Sequence, residues 1–191
     1  MLRTPSPFLS LCFLASLAPT KASRAFTIDL TDAVVGAAPA NGSATPQSSF
    51  HCYGERGSEY RTKVTVQLYA NGRAAVLPSL GMPGLLSAID QSEKPLLKAP
   101  LKRREGGRIE IVARNPNYDA AEAARLAREG ESLVSIAGVS VALANPEKAG
   151  VGQTIQGSSL IQAAIPTLDS SGRRTIRSVS ITSKLSCKRA N

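Results

Sequence analysis

Two cysteines, Cys52 and Cys187, stand near opposite ends of the chain, each inside a segment that alternates apolar and polar residues. A strand sends successive side chains to opposite faces. In Thr175–Cys187, Val179, Ile181, Leu185 and Cys187 share one parity, and Ser178, Ser180, Thr182, Lys184 and Ser186 the other. In Phe50–Tyr53 the inward pair is Phe50 and Cys52, with His51 and Tyr53 outward. Both thiols therefore point to the apolar side, and the pattern predicts a disulfide between an early strand and the last one. Closing so long a loop contributes about 5 kcal/mol in the chain-entropy model.

A disulfide needs an oxidising compartment, and the N-terminus predicts one. Met1–Pro7 carries Arg3, Phe8–Ala18 is an apolar run, and Pro19 ends it. Small-residue cleavage sites follow at Ala22 and Ala25. This is the three-part layout of a secretory signal over residues 1–25. The run is shorter than the roughly 20 residues that span a bilayer. The mature chain is expected to be secreted and extracellular, with no transmembrane segment. Cleavage removes Cys12, Arg3, Lys21 and Arg24 and no acid, which leaves an even pair of cysteines and lowers the formal charge from +9 to +6.

Residues 26–49 are expected to form a strand over Phe26–Val35 and then a flexible loop rich in Ala, Gly, Pro and Ser. Residues 50–191 are expected to form a single β-rich domain. In Thr62–Ala70, Val64, Val66, Leu68 and Ala70 alternate with Lys63, Thr65, Gln67 and Tyr69. Asn71-Gly72 then predicts a type I′ hairpin into Ala74–Leu77. Pro78–Gly107, broken by four prolines, reads as a long irregular loop with a short helix from Pro83 to Gln91 and an extended Lys94–Leu101. Arg108–Ala113 alternates. Asn117–Glu129 is the clearest helix, capped by Asp119 and Glu122, stopped by Gly130, with Ala123, Leu126 and Ala127 as its apolar stripe. Leu133–Ala144 is strand-like with a bulge at Gly138, and Asn145–Ser158 reads as a loop. Leu160–Leu168 and Thr175–Cys187 flank turn chemistry at Asp169–Gly172, with Pro166 at an edge or strand end. The sum is a mainly β chain: an antiparallel β-sandwich or a β-rich α+β domain with one or two short helices.

Catalytic patterns are missing from the sequence. His51 is the only histidine, and its neighbour Cys52 points the other way and is committed to a disulfide. No nucleophile elbow, zincin, P-loop or dinucleotide fingerprint is present; Gly150, Gly152 and Gly157 have the wrong spacing for the last. With one His and three Cys, no metal site and no cofactor are expected. Asp29, Asp32, Glu55 and Glu59 are the carboxylates that could serve a secreted hydrolase, which makes that class an alternative. Asn41-Gly42-Ser43 is an N-glycosylation acceptor pattern.

Charge is the more informative signal. Residues 170–191 carry six cations and no acid: Arg173, Arg174, Arg177, Lys184, Lys188 and Arg189. Lys98, Lys102, Arg103, Arg104 and Arg108 form a second cluster, diluted by Glu105 and Glu110, with Lys102, Arg103 and Arg104 as its contiguous centre. Both clusters point to a protein partner, or to an anionic surface or polysaccharide. Nucleic acid is disfavoured, because no aromatic interleaving accompanies the charge. The expectation is a secreted, disulfide-stabilised, non-enzymatic binding protein, of the kind exemplified by host-directed effectors and virulence factors. A pilin-like or cell-envelope subunit is the structural alternative.

Overall fold

A computed structural model describes residues 45–55, 60–81, 94–130 and 133–191. Eight antiparallel strands close into a barrel in chain order. They are β1 (Ser48–Gly54), β2 (Arg61–Leu68), β3 (Arg73–Gly81), β4 (Leu97–Arg103), β5 (Ile109–Arg114), β6 (Ser135–Leu143), β7 (Thr154–Leu168) and β8 (Arg174–Arg189). One α-helix, α1 (Ala120–Glu129), links β5 to β6. The mainly β class stands, with one short helix among the described residues. The sandwich does not: β1 pairs with β8 as well as with β2, so one sheet curls until its first and last strands meet.

An eight-stranded barrel is narrow enough for its own side chains to fill it. Phe50, Val64, Val66, Val76, Ile111, Ile136, Val141, Ile161 and Leu185 are all buried inside. Each belongs to the inward parity of its strand. On β2 and β8 the outward parity is polar: Lys63, Thr65 and Gln67 on β2, and Ser178, Ser180, Thr182, Lys184, Ser186 and Lys188 on β8. No helix among the described residues is long and apolar enough to cross a membrane.

The disulfide joins Cys52 and Cys187, which face each other directly in the β1–β8 pairing with their Cα atoms 3.9 Å apart. It covalently closes the seam of the barrel, between the first strand and the last. Both half-cystines are fully buried.

One proline-bearing stretch differs from the sequence reading. β3 runs through Pro78 to Gly81, where a loop was expected. The hydrogen bonds Tyr69 N–H to Arg73 O and Leu101 N–H to Gly72 O show that odd residues of β3 bond toward β2 and even ones toward β4. Pairing with β4 ends at Val76, so the N–H that Pro78 lacks would have had no strand partner. Pro166 repeats this on β7, beyond the last β6 pair at Ala164. Proline is tolerated where the ladder has already ended. The expected loop after Asn145 is also shorter, because β7 begins at Thr154. The helix proposed for 83–91 lies outside the described residues.

The hairpin at Asn71-Gly72 forms with different turn geometry. Gly72 has φ 74°, but Asn71 is not in the left-handed region that a type I′ turn requires. Instead Tyr69 bonds Arg73 across three loop residues, and the Asn71 side chain accepts from Arg73 N–H. Asp169–Arg173 repeats the arrangement between β7 and β8, with Gly172 at φ 77°. Both are turns closed by a left-handed glycine, the common three-residue alternative.

The helix begins and ends as the sequence predicts. Asp119 accepts from the N–H groups of Ala121 and Glu122, and Gly130, at φ 102°, caps the C-terminus. Glu122 does not complete a capping box: both its oxygens go to Arg125. Ala123 and Ala127 are buried where α1 lies against β7 and β8. The Gly138 bulge is present as a register shift in the β6–β7 pairing.

Candidate functional site

The barrel has two ends. The near end gathers the start of β1, the β2–β3 and β4–β5 turns, the β6–β7 connection and the finish of β8. The far end gathers α1, the finish of β1 and of β3, and the β7–β8 turn. β8 spans both, and Arg174 and Lys188 are separated by about 46 Å at strand rise.

This geometry divides the basic residues singled out in the sequence. Arg173, Arg174 and Arg177 are exposed at the far end. Arg174 lies against the C-terminal cap of α1, its Nη1 2.7 Å from where a Cβ on Gly130 would be. A cation there complements the negative end of the helix dipole. Lys102, Arg103 and Arg104 are at the near end around the β4–β5 turn, with Arg189 across the mouth. Arg103 donates twice to Glu147 Oε1, at 2.8 and 3.1 Å, and Arg104 pairs with Glu110 at 2.8 Å. Arg189 donates to the carbonyl oxygens of Ala149 and Asn191. Three of the near-end guanidinium groups are thus already engaged.

A cleft of about 290 Å³ opens at this near mouth, lined by Ser48, Leu68, Leu101, Arg103, Glu147 and Arg189 among others. Glu147 is the single carboxylate on its described lining, and it is held by Arg103. Paired-carboxylate hydrolysis needs two acids about 5–10 Å apart, and this cleft brings one. Glu55 is exposed at the end of β1, away from it; Asp29, Asp32 and Glu59 lie outside the described residues, as does Asn41. Among the described residues no group of three or more His, Cys, Asp and Glu is placed to hold a metal ion.

The outer face of β8, β1 and β2 has a different character. Register places Thr154, Lys188, His51 and Thr65 in one row across β7, β8, β1 and β2. Gln156, Ser186, Tyr53 and Lys63 form the next row. Lys184 follows, its carbonyl accepting from Glu55 N–H at 3.2 Å, and Arg61 is on the outward parity at the start of β2. Tyr53 is 53% exposed, with Lys63 Nζ 5.8 Å from its ring centroid. His51 Nδ1 is 3.3 Å from Thr65 Oγ1. Among the described residues, Arg61, Lys63, Lys184 and Lys188 form no ion pair with any acid, Glu55 included.

Lys184 and Lys188 were singled out in the sequence; Lys63, Arg61, Tyr53 and His51 were not. Outward parity marked Lys63, Tyr53 and His51 but not Arg61, and only the pairing of β1 with β8 makes them neighbours of the lysines. No protein-family model, curated protein or solved structure matches this chain.

Proposed function

We propose that this chain is an exported, disulfide-closed barrel that works by binding an anionic partner, and that the outer face of β8, β1 and β2 receives it. The observation that carries this reading is the contrast in pairing. Arg125 on α1 and Arg103 and Arg104 at the near mouth are paired with Glu122, Glu129, Glu147 and Glu110. Among the described residues, Arg61, Lys63, Lys184 and Lys188 have no such partner and are gathered on the β8–β1–β2 face, so their field extends into solvent. Tyr53 adds an aromatic surface that is apolar across its ring and polar at its tip. A packed barrel interior leaves the outer surface as the place for recognition.

The test is retention of the full chain on immobilised acidic peptide or sulfated polysaccharide as salt is raised. Lys63→Glu/Lys184→Glu/Lys188→Glu should elute at much lower salt than the parent, since three contacts with an anion are reversed. Arg125→Glu on α1 should elute with the parent. Equal elution of the triple variant and the parent would overturn the reading.

A further inference from the structure

β8 is 16 residues long and β1 only seven. The β1–β8 pairing runs from Arg189 to Leu185 and ends there. Glu55 N–H extends it by one bond to Lys184 O. From Ser183 back to Arg174, no strand among the described residues pairs with this side of β8, although β7 pairs with the other side throughout. Among the described residues the closed barrel therefore carries an open edge about 33 Å long at strand rise.

The direction of the edge groups follows from the observed bonds. Arg173 O accepts from Asp169 N–H, and Arg189 N–H donates to Gln153 O, so odd residues of β8 bond toward β7. Lys184 O accepts from Glu55, and Ala190 N–H donates to Ser49 O, so even positions face the β1 side. Arg174, Ile176, Ser178, Ser180 and Thr182 consequently direct both N–H and C=O out of the open edge. Ser178, Ser180 and Thr182 are exposed, as are Arg174 and Arg177.

We infer that this edge captures an extended acidic peptide segment of a partner protein by strand addition, in line with β1 and past its end. The inference deepens the binding reading above by choosing a protein partner. Main-chain hydrogen bonding supplies the alignment and side chains the selection, as in other strand-addition complexes. The edge has no proline and three small hydroxyl residues at its centre, so a backbone can approach. Cations bracket it: Arg173, Arg174 and Arg177 at one end, Lys184 at the other. Charges on an edge oppose pairing with an identical edge, and the same charges favour a strand bearing Asp or Glu near its ends. On the outward face, acids opposite Arg174 and Thr182 are eight residues apart, the second of them diagonal to Lys184.

The test uses the full oxidised chain and synthetic ten-residue peptides of Thr and Val with two acids at each end. Binding is followed by calorimetry. The acidic peptide should bind, and its lysine-ended counterpart should bind at least tenfold more weakly. Ser180→Pro removes an N–H that points outward and leaves the β7 ladder intact; it should weaken peptide binding at least tenfold while retention on sulfated polysaccharide is unchanged. A second measurement needs no change in the protein. N-methylation of alternate peptide residues in one phase should abolish binding, and in the other phase should leave it. Equal binding of both methylated forms would overturn strand addition. So would a folded chain that retains the polysaccharide but takes up no acidic peptide, and that result would leave the cationic face standing. Loss of both ligands' binding would overturn both readings.

Discussion

Gly157 on β7 lies directly against Cys187: a Cβ built on Gly157 would be 3.3 Å from Cys187 Sγ, 3.0 Å from Leu143 Cδ2 and 2.8 Å from Ala142 O. The disulfide occupies the space that any other residue at 157 would need. The nearest obstacle is backbone, which cannot rotate aside. Gly157→Ala should therefore destabilise by about 1–3 kcal/mol, the usual cost of overpacking. Urea denaturation of the oxidised protein measures it, and an unchanged midpoint would refute the packing argument.

Removal of the disulfide should cost more. The bridge links residues 135 apart in sequence, and loss of so long a cross-link is worth up to about 5 kcal/mol. Cys52→Ala/Cys187→Ala should unfold at clearly lower urea than the oxidised parent. Adding reductant should shift the parent and leave the variant unmoved. Matching midpoints with and without reductant would mean that the bridge contributes nothing.

Two buried hydroxyls inside the barrel should respond oppositely to truncation. Ser183 Oγ is 2.8 Å from Thr62 Oγ1, and both residues are buried. Ser159, directly opposite Ser183 on β7, is buried, and its Oγ has no hydrogen-bond partner among the described residues. Ser183→Ala leaves Thr62 without that partner and should cost about 1–3 kcal/mol, whereas Ser159→Ala removes an unsatisfied group and should be neutral or slightly stabilising. Thermal melts of the two variants side by side decide the matter.

The β7–β8 turn should depend on pH. Asp169 Oδ1 accepts from Ser171 Oγ, Ser171 N–H and Arg173 N–H. The Ser171 hydroxyl, and then the Arg173 amide, hold this carboxyl below the usual carboxylate range. A depressed folded-state value stabilises above the unfolded value, and the gain is lost as pH falls through the folded one. Amide exchange of Ser171 and Arg173 should accelerate, relative to the intrinsic rate, as pH falls below about 4. Asp169→Asn should remove that acid dependence. Protection that stays flat down to pH 2 would contradict it.

Alternation made the inward and outward sets of β1, β2, β5 and β8 legible in the sequence, and with them the Cys52–Cys187 bond. Asp119 and Gly130 bounded α1 for reasons local to the chain. Closure was not legible in the same way. Sandwich and barrel share the two-residue period, and they differ in which strands are neighbours. The disulfide held the missing information, since Cys52 opposite Cys187 places His51 beside Lys188 and Tyr53 beside Ser186. Pro78 concealed the second half of β3 because a single sequence does not show where a ladder stops. The cationic face was half legible: Lys184 and Lys188 stood out as charge, while Lys63 and Arg61 lay amid acids in sequence order.

The covalent link at the seam also determines what a protease can achieve. A single cut anywhere between residues 53 and 186 leaves two pieces still tied through Cys52 and Cys187, each holding one end of the ring of hydrogen bonds. A nicked molecule thus stays together as a two-chain particle and can reclose without a search through solution. Two cuts within that span are needed to release a fragment.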